Sequence, residues 1–220
     1  MLNDISNFLP SIYFIVEGTI VTLQFSAISV CFGLIIGTVL AILKVSNKTW
    51  LRLLANGYTS VFRGTPLLIQ LTIIYFALPG LIGIKLSVFL AGIITFSLNS
   101  GAYVSEIIRA GINAVDRGQF EASKALGIPS ILMMKDIILP QALKNILPSL
   151  INEFINLIKE SALISIIGGE DLMRRSLIVS AETFDYFLPM LTAASTYYIL
   201  VLIVSKFAQI LEKRLGQANC

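Results

Sequence analysis

The 220-residue sequence contains no histidine and only two cysteines, Cys31 and Cys220. Proton relays built on imidazole and thiolate zinc clusters are therefore excluded, and no metal site is expected. Cys31 lies in an apolar run and Cys220 is the last residue, so a disulfide scaffold is not expected either. Charge is equally scarce. Only 13% of the residues are charged, whereas soluble domains carry about 25%. With 56% hydrophobic residues and a mean hydropathy of +0.85, the chain is not a soluble globular protein. No Lys or Arg precedes Lys44, so the first apolar stretch lacks the basic flank of a cleavable signal peptide and is expected to be retained. There is no GxxxxGK[ST] phosphate loop, and neither GxSxG nor HExxH occurs.

What the sequence does have is long uncharged runs: Gly18 to Leu43, Gly64 to Ile84, Leu86 to Ser105 and Tyr186 to Ser205. Each reaches the roughly 20 apolar residues that cross a hydrocarbon core. Pro79 and Gly80 break the pattern before Lys85, so the second and third runs are expected to form a helical hairpin. A fifth apolar segment, Asn145 to Gly169, is interrupted by Glu153, Lys159 and Glu160. Lys and Arg mark cytoplasmic loops, and 12 of the 16 basic residues fall in three segments: Lys44 to Arg63, Arg109 to Lys144 and Lys206 to Arg214. All three lie on one side only if the fifth segment crosses. The expected fold is an all-α membrane domain over 1–220 with five spans, about 18–43, 64–84, 86–108, 145–169 and 186–208. Its N-terminus is outside and its C-terminus inside. The basic connection between the first two spans serves as an orientation signal that also touches membrane lipid. With a net charge of only +3, no nucleic-acid partner is expected.

The inside loop between spans three and four, about 113–140, is long, mixed in charge and helix-prone, with Gly127 and Pro129 at its middle. Two short helices meeting at a glycine turn are expected there. Loops of this length usually have a function, and two roles are open: docking a soluble partner, or lying on the membrane as an amphipathic helix.

The segment EASKALGIPSILMMKDIILPQA, Glu121 to Ala142, resembles the EAA loop of ABC importer permeases in Glu121, Ala122, Gly127, Ile137, Leu139 and Pro140. Ser123 stands where the pattern has a second alanine, a small residue for a small one. Two further stretches, VFRGTPLLIQ (Val61 to Gln70) and LNSGAYVSEIIRAGI (Leu98 to Ile112), are similar to the polar amino acid branch (histidine, glutamine and arginine type) of that family. The resemblance covers roughly 15–215.

It implies a multi-pass inner-membrane permease of the ABC transmembrane type-1 class, not itself an enzyme. ABC ATPase subunits would carry ATP and Mg, leaving this chain without a cofactor. A second permease copy or a paralogue and an extracytoplasmic solute-binding protein complete the assembly. Glu121 would anchor the coupling helix to the ATPase, Ala122 and Ser123 would allow close approach, Gly127 would turn the chain, and Pro140 would start the next helix, where a missing backbone donor costs little.

Two polar stripes remain. Asn145, Ser149, Glu153, Asn156 and Glu160 share one helical face, and Asn99, Tyr103 and Glu106 form another. A mid-membrane carboxylate costs roughly 2.5–3.5 kcal/mol, so neither stripe is expected to face lipid. Either they line a path for a polar amino acid, or they are interhelical bonds with Lys159 or Arg109 as counter-ions. A mixed Asn and Glu lining suits glutamine, the best guess, and equally a cationic side chain. Gly33 and Gly37 form a GxxxG close-packing motif. The segment Gly168 to Phe187, opening on GGEDLM, is either a receptor-docking surface or a solvated connection. A gradient-driven carrier or channel is the alternative to an ATP-driven importer, but no repeat supports it. An intramembrane enzyme would be left with Ser161 and Lys159, which point different ways on one helix.

Overall fold

Backbone groups in lipid must bond within their own segment, and the apolar runs accordingly become helices. The computed structural model describes residues 2–217; Cys220 lies outside them. Among the described residues the chain is helical throughout, with no strand. Helix α1 (Leu2–Glu17) runs into α2 (Thr19–Lys44) through Gly18, whose backbone is itself right-handed helical. Next come α3 (Thr49–Gly64), α4 (Leu67–Thr72), a π-helical turn at Ile73–Ala77, and α5 (Leu78–Ile82). Helix α6 (Val88–Asn113) follows, capped by the Ser87 hydroxyl, which accepts from Leu90 N–H. Then come α7 (Arg117–Ala125), α8 (Ser130–Leu132), a second π turn at Met133–Ile138, α9 (Leu139–Glu160) and a 3₁₀ extension, Ser161–Ile167. Two last helices, α10 (Leu172–Thr183) and α11 (Phe187–Gln217), complete the fold.

Three stretches are long and apolar enough to cross a membrane: Phe8–Lys44, Val88–Asn113 and Phe187–Leu211. A fourth crossing results if Thr49–Gly64 and Leu67–Leu81, which meet at 103°, count as one bent span.

Two local expectations are corrected. The segment after Lys44 is not a plain connection but helix α3, which docks on α6 by burying Ala55 and Thr59 and donating Tyr58 O–H to the Leu98 carbonyl at 2.8 Å. The hairpin turn comes at Gly83, whose φ of +73° ends α5. Pro79 and Gly80 are carried inside that helix, where Pro79 occupies the first turn and its missing N–H is tolerated. Pro140 stands in the first turn of α9, as expected, but the helical backbone leading into it is unbroken. Backbone at Leu132, Met133, Ile138 and Leu139 is all right-handed helical, so Ser130 to Glu160 is one rod. The π turn, with Leu139 N–H bonded to the Met134 carbonyl, shifts the bonding pattern just ahead of the residue that has no donor.

The α2–α6 crossing sets the core. A Cβ on Gly37 would lie 2.5 Å from Val104 Cγ1, one on Gly33 2.8 Å from Ser100 Cβ, and one on Gly101 2.6 Å from Ile36 Cγ2. Only glycine lets these backbones approach so closely, which is the role expected of the GxxxG pair. Beside this crossing Phe25, Leu71, Phe96, Leu157, Ile164 and Ile167 form one buried cluster, with Phe25 edge-on to Phe96 at 5.6 Å. A second cluster, including Val115, Met133, Ile138, Ala142 and Ile146, fixes the α7 loop to α6 and the rod. A third, of Ile15, Leu172, Val179 and Ala193, joins α1, α10 and α11.

Candidate coupling loop and polar faces

Helix α7 is framed by its own sequence. The Asp116 carboxylate accepts from Gly118 N–H at 2.7 Å and caps its start. Its end is a Schellman turn: Ile128 N–H bonds the Ser123 carbonyl, Gly127 N–H bonds the Lys124 carbonyl, and Gly127 takes φ +69°. The predicted glycine turn is therefore present, although the helix after it is the long rod rather than a second short helix.

Glu121, Ala122, Leu139 and Pro140 are exposed and Ile137 is half-buried. Ser123 departs from the expectation. It is 3% exposed and donates to the Gln119 carbonyl at 2.6 Å, so it packs inward against its own subunit and offers no surface for close approach. The sequence reading missed Leu126 and Ile131, 78% and 80% exposed on either side of the turn. Large apolar side chains left uncovered beside a fixed turn were the available signal.

The two stretches similar to the amino acid branch pack on each other. Asn99 donates to the Phe62 carbonyl (3.1 Å) and to Gln70 Oε1 (3.0 Å); Gln70 in turn donates to the Phe62 and Thr65 carbonyls and to the Thr65 hydroxyl. These bonds staple the α3–α4 bend and give Asn99 a packing role. Glu106 is likewise engaged. Its Oε1 is 2.5 Å from Lys44 Nζ, while its Oε2 accepts from Arg109 at 2.7 and 3.0 Å and stands 4.0 Å from Arg63. Arg109 is the counter-ion the sequence suggested; Lys44, the more deeply buried one, was not foreseen. Tyr103 lies partly exposed under the Arg63 guanidinium, 5.3 Å from ring centre to Cζ.

The α9 stripe divides. Glu153 is buried and faces Ser100 of α6 with Glu160 nearby, and no cation pairs with it among the described residues. Ser149 is half-buried, Asn156 and Glu160 are exposed, and Asn145 reaches back to the Gly111 carbonyl at 3.4 Å. In the GGEDLM opening Gly168 and Glu170 are exposed while Gly169 is buried. Asp171 and Leu172 are fully buried, Asp171 caps α10 through Arg174 N–H, and it accepts from Tyr197 O–H at 3.1 Å.

Comparison with known proteins agrees with this architecture. Residues 31–217 match the family described as binding-protein-dependent transport system inner membrane component. A protein of Rickettsia conorii named for glutamine transport, the permease GlnP, is 66% identical over 98% of this chain and 99% of its own. The arginine transport system permease ArtQ of Bacillus subtilis is 50% identical over 96% and 97%. A crystal structure of an amino acid ABC transporter with histidines superposes with a TM-score of 0.91 at 41% identity, covering 97% of this chain and 98% of that one. An inward-facing MetNI methionine ABC transporter shares the fold, with a TM-score of 0.80 at 20% identity over 94% and 98%. The chain belongs to the binding-protein-dependent inner membrane component family: it is a multi-pass inner-membrane permease subunit of an ABC importer, whose ATPase is a separate chain.

Proposed function

We propose that the chain crosses the membrane five times, with its N-terminus outside and its C-terminus inside, and forms half of a pathway for a polar amino acid, glutamine in the first place. Three apolar stretches supply three crossings, the part of the bent pair beyond Arg63 (α4 to α5) supplies the fourth, and α9 with its 3₁₀ extension is the fifth. That count keeps the three basic segments on the cytoplasmic side. A second copy or a paralogue provides the other half, two ATPases hold ATP and Mg, and a solute-binding protein delivers substrate from outside. The choice of glutamine is supported by the Rickettsia relative's name at 66% identity, against arginine for ArtQ at 50%.

The observation that carries the mechanism is the tip of the α7 loop. Glu121, Ala122, Leu126 and Ile131 are exposed around the fixed Gly127 turn, at one end of a rod whose other end exposes Asn156 and Glu160. The helical segment Ser130 to Glu160, with a π turn and Pro148 inside it, spans at most about 45 Å at 1.5 Å per residue. An ATPase groove gripping the tip would swing it as a lever, moving Ser149, Asn156 and Glu160 against the partner's matching face and Glu153 against Ser100 of α6. The exposed carboxylate and amide would meet the ammonium and amide groups of the substrate. Ile137, Leu139 and Pro140 would hold the near end in register.

Reconstitution with the cognate ATPase and solute-binding protein tests this reading through substrate-stimulated ATP hydrolysis. Gly127→Asn, which tolerates a left-handed backbone, should retain coupling; Gly127→Val should lose it while basal hydrolysis persists. Full coupling in Gly127→Val would refute the role of the turn, and uptake that ignores glutamine would refute the substrate.

A further inference from the structure

Phe184 has the only positive φ of any non-glycine residue among those described, +54°, and its side chain is 93% exposed. The turn that holds it is well built. Thr183 Oγ1 donates to the Val179 carbonyl at 2.8 Å, and Asp185 turns its carboxylate back to cap α11, accepting from Phe187 N–H at 2.9 Å. A helix end in this conformation ordinarily carries glycine; here it carries a phenylalanine that touches almost nothing in the chain. Two more aromatics stand beside it, Tyr186 at 64% and Phe187 at 72% exposure.

The position along α11 says what covers them. The uncharged run Tyr186 to Ser205 is bracketed by Asp185 and Lys206, and at 1.5 Å per residue it is about 30 Å long, the thickness of the hydrocarbon core. Phe184 and Tyr186 thus sit at one boundary. At the other, next to Lys206, stands Phe207, 71% exposed. Tyrosine, with a polar tip on an apolar ring, collects at such boundaries, and Phe184 and Phe187 add apolar area on either side of Tyr186.

We propose that Phe184, Tyr186 and Phe187 form an interfacial anchor that seats the α10–α11 turn in the lipid headgroup layer. The anchor fixes the free end of α10, whose other end is locked by Asp171 to Tyr197. Bilayer contact thereby sets the tilt of this hairpin. The inference rests on α11 as a span but not on the substrate or on the ATPase coupling.

The test is a single-tryptophan probe in the assembled transporter, in phosphatidylcholine–phosphatidylglycerol nanodiscs without solute-binding protein. Trp50, the only tryptophan, is replaced by Phe and Phe184 by Trp. The anchor predicts stronger quenching by lipids spin-labelled near the headgroup than by those labelled at the chain end. It also predicts iodide quenching severalfold weaker than for free tryptophan amide. Phe184→Gly suits the backbone and should fold normally; with Tyr186→Trp as reporter, it should raise iodide access there. Iodide quenching of the Phe184→Trp probe at the free rate, or shielding that appears only on adding solute-binding protein, would overturn the proposal, the second marking a receptor contact instead.

Discussion

The Lys44–Glu106 pair makes a prediction whose asymmetry comes from geometry. The Lys44 side chain is 4% exposed, with its ammonium held by Glu106 Oε1 and by Ser105 Oγ at 3.0 Å. Glu106 is 22% exposed and has Arg109 on its other oxygen. Glu106→Ala leaves a buried ammonium with one hydroxyl, and stranding a buried charge costs about 3–5 kcal/mol. Lys44→Met leaves Glu106 paired with a half-exposed arginine and removes one charge-assisted bond, a loss of about 1–2 kcal/mol. Unfolding in mixed micelles by graded SDS, followed by far-UV circular dichroism, should therefore rank Glu106→Ala well below Lys44→Met. The double variant should be more stable than Glu106→Ala alone, because the stranded charge has gone. Equal losses for the two single variants, or strict additivity in the double, would refute the assignment of Lys44 as the group that Glu106 neutralises.

At the α2–α6 crossing, Gly37→Ala should cost about 1–3 kcal/mol by overpacking, since the new methyl falls on Val104 and 3.0 Å from the Gly101 carbonyl. Gly57→Ala, with nothing within 4 Å, should be neutral or slightly stabilising in the same unfolding assay. Asn99→Leu strips a buried bond from Gln70 and one from the Phe62 carbonyl and should cost about 1–3 kcal/mol, seen as faster protease cleavage at the α3–α4 bend; an unchanged cleavage rate would remove its stapling role. Glu153→Gln and Glu160→Gln should each alter the KM for uptake while the complex still elutes intact on size exclusion; loss of assembly without a change in KM would leave these carboxylates only a packing role.

The crossings were legible to the extent that charge marks where lipid ends. Cutting the sequence at charges found the apolar stretches within α2, α6 and α11, yet the same cut misplaced two helices. Glu17 ended the first run at Gly18, although helical backbone at Gly18 continues into α1; an acidic residue, here paired with Arg175, breaks a hydropathy run without breaking a helix. Helix α3 was hidden for the opposite reason. Its basic residues and single-sided burial of Ala55 and Thr59 give the pattern of a surface helix, which a search for lipid-crossing runs passes over. The loop motif was legible because one position carries a backbone requirement, the left-handed Gly127, that few sequences meet at that spacing. The direction of Ser123 was not, since a small residue reads the same whether it faces a partner or its own core.

The polar stripes show where periodicity stops informing. Placing Asn145, Ser149, Glu153, Asn156 and Glu160 on one face assumes that face has one environment along the whole helix. In the fold, α9 leans on α6 at Glu153 and leaves Asn156 and Glu160 uncovered less than two turns later. On α6 the same assumption fails through distant partners. Glu106 meets Lys44, 62 positions earlier in the chain, because Gly33, Gly37 and Gly101 let α2 and α6 come close enough for the ends of the two helices to share charge. The glycines and the acid were each visible in the sequence, but their connection is a property of the crossing. An intramembrane carboxylate therefore becomes a substrate-site candidate only once the structure shows no cation has claimed it, a test that Glu153 passes among the described residues and Glu106 does not.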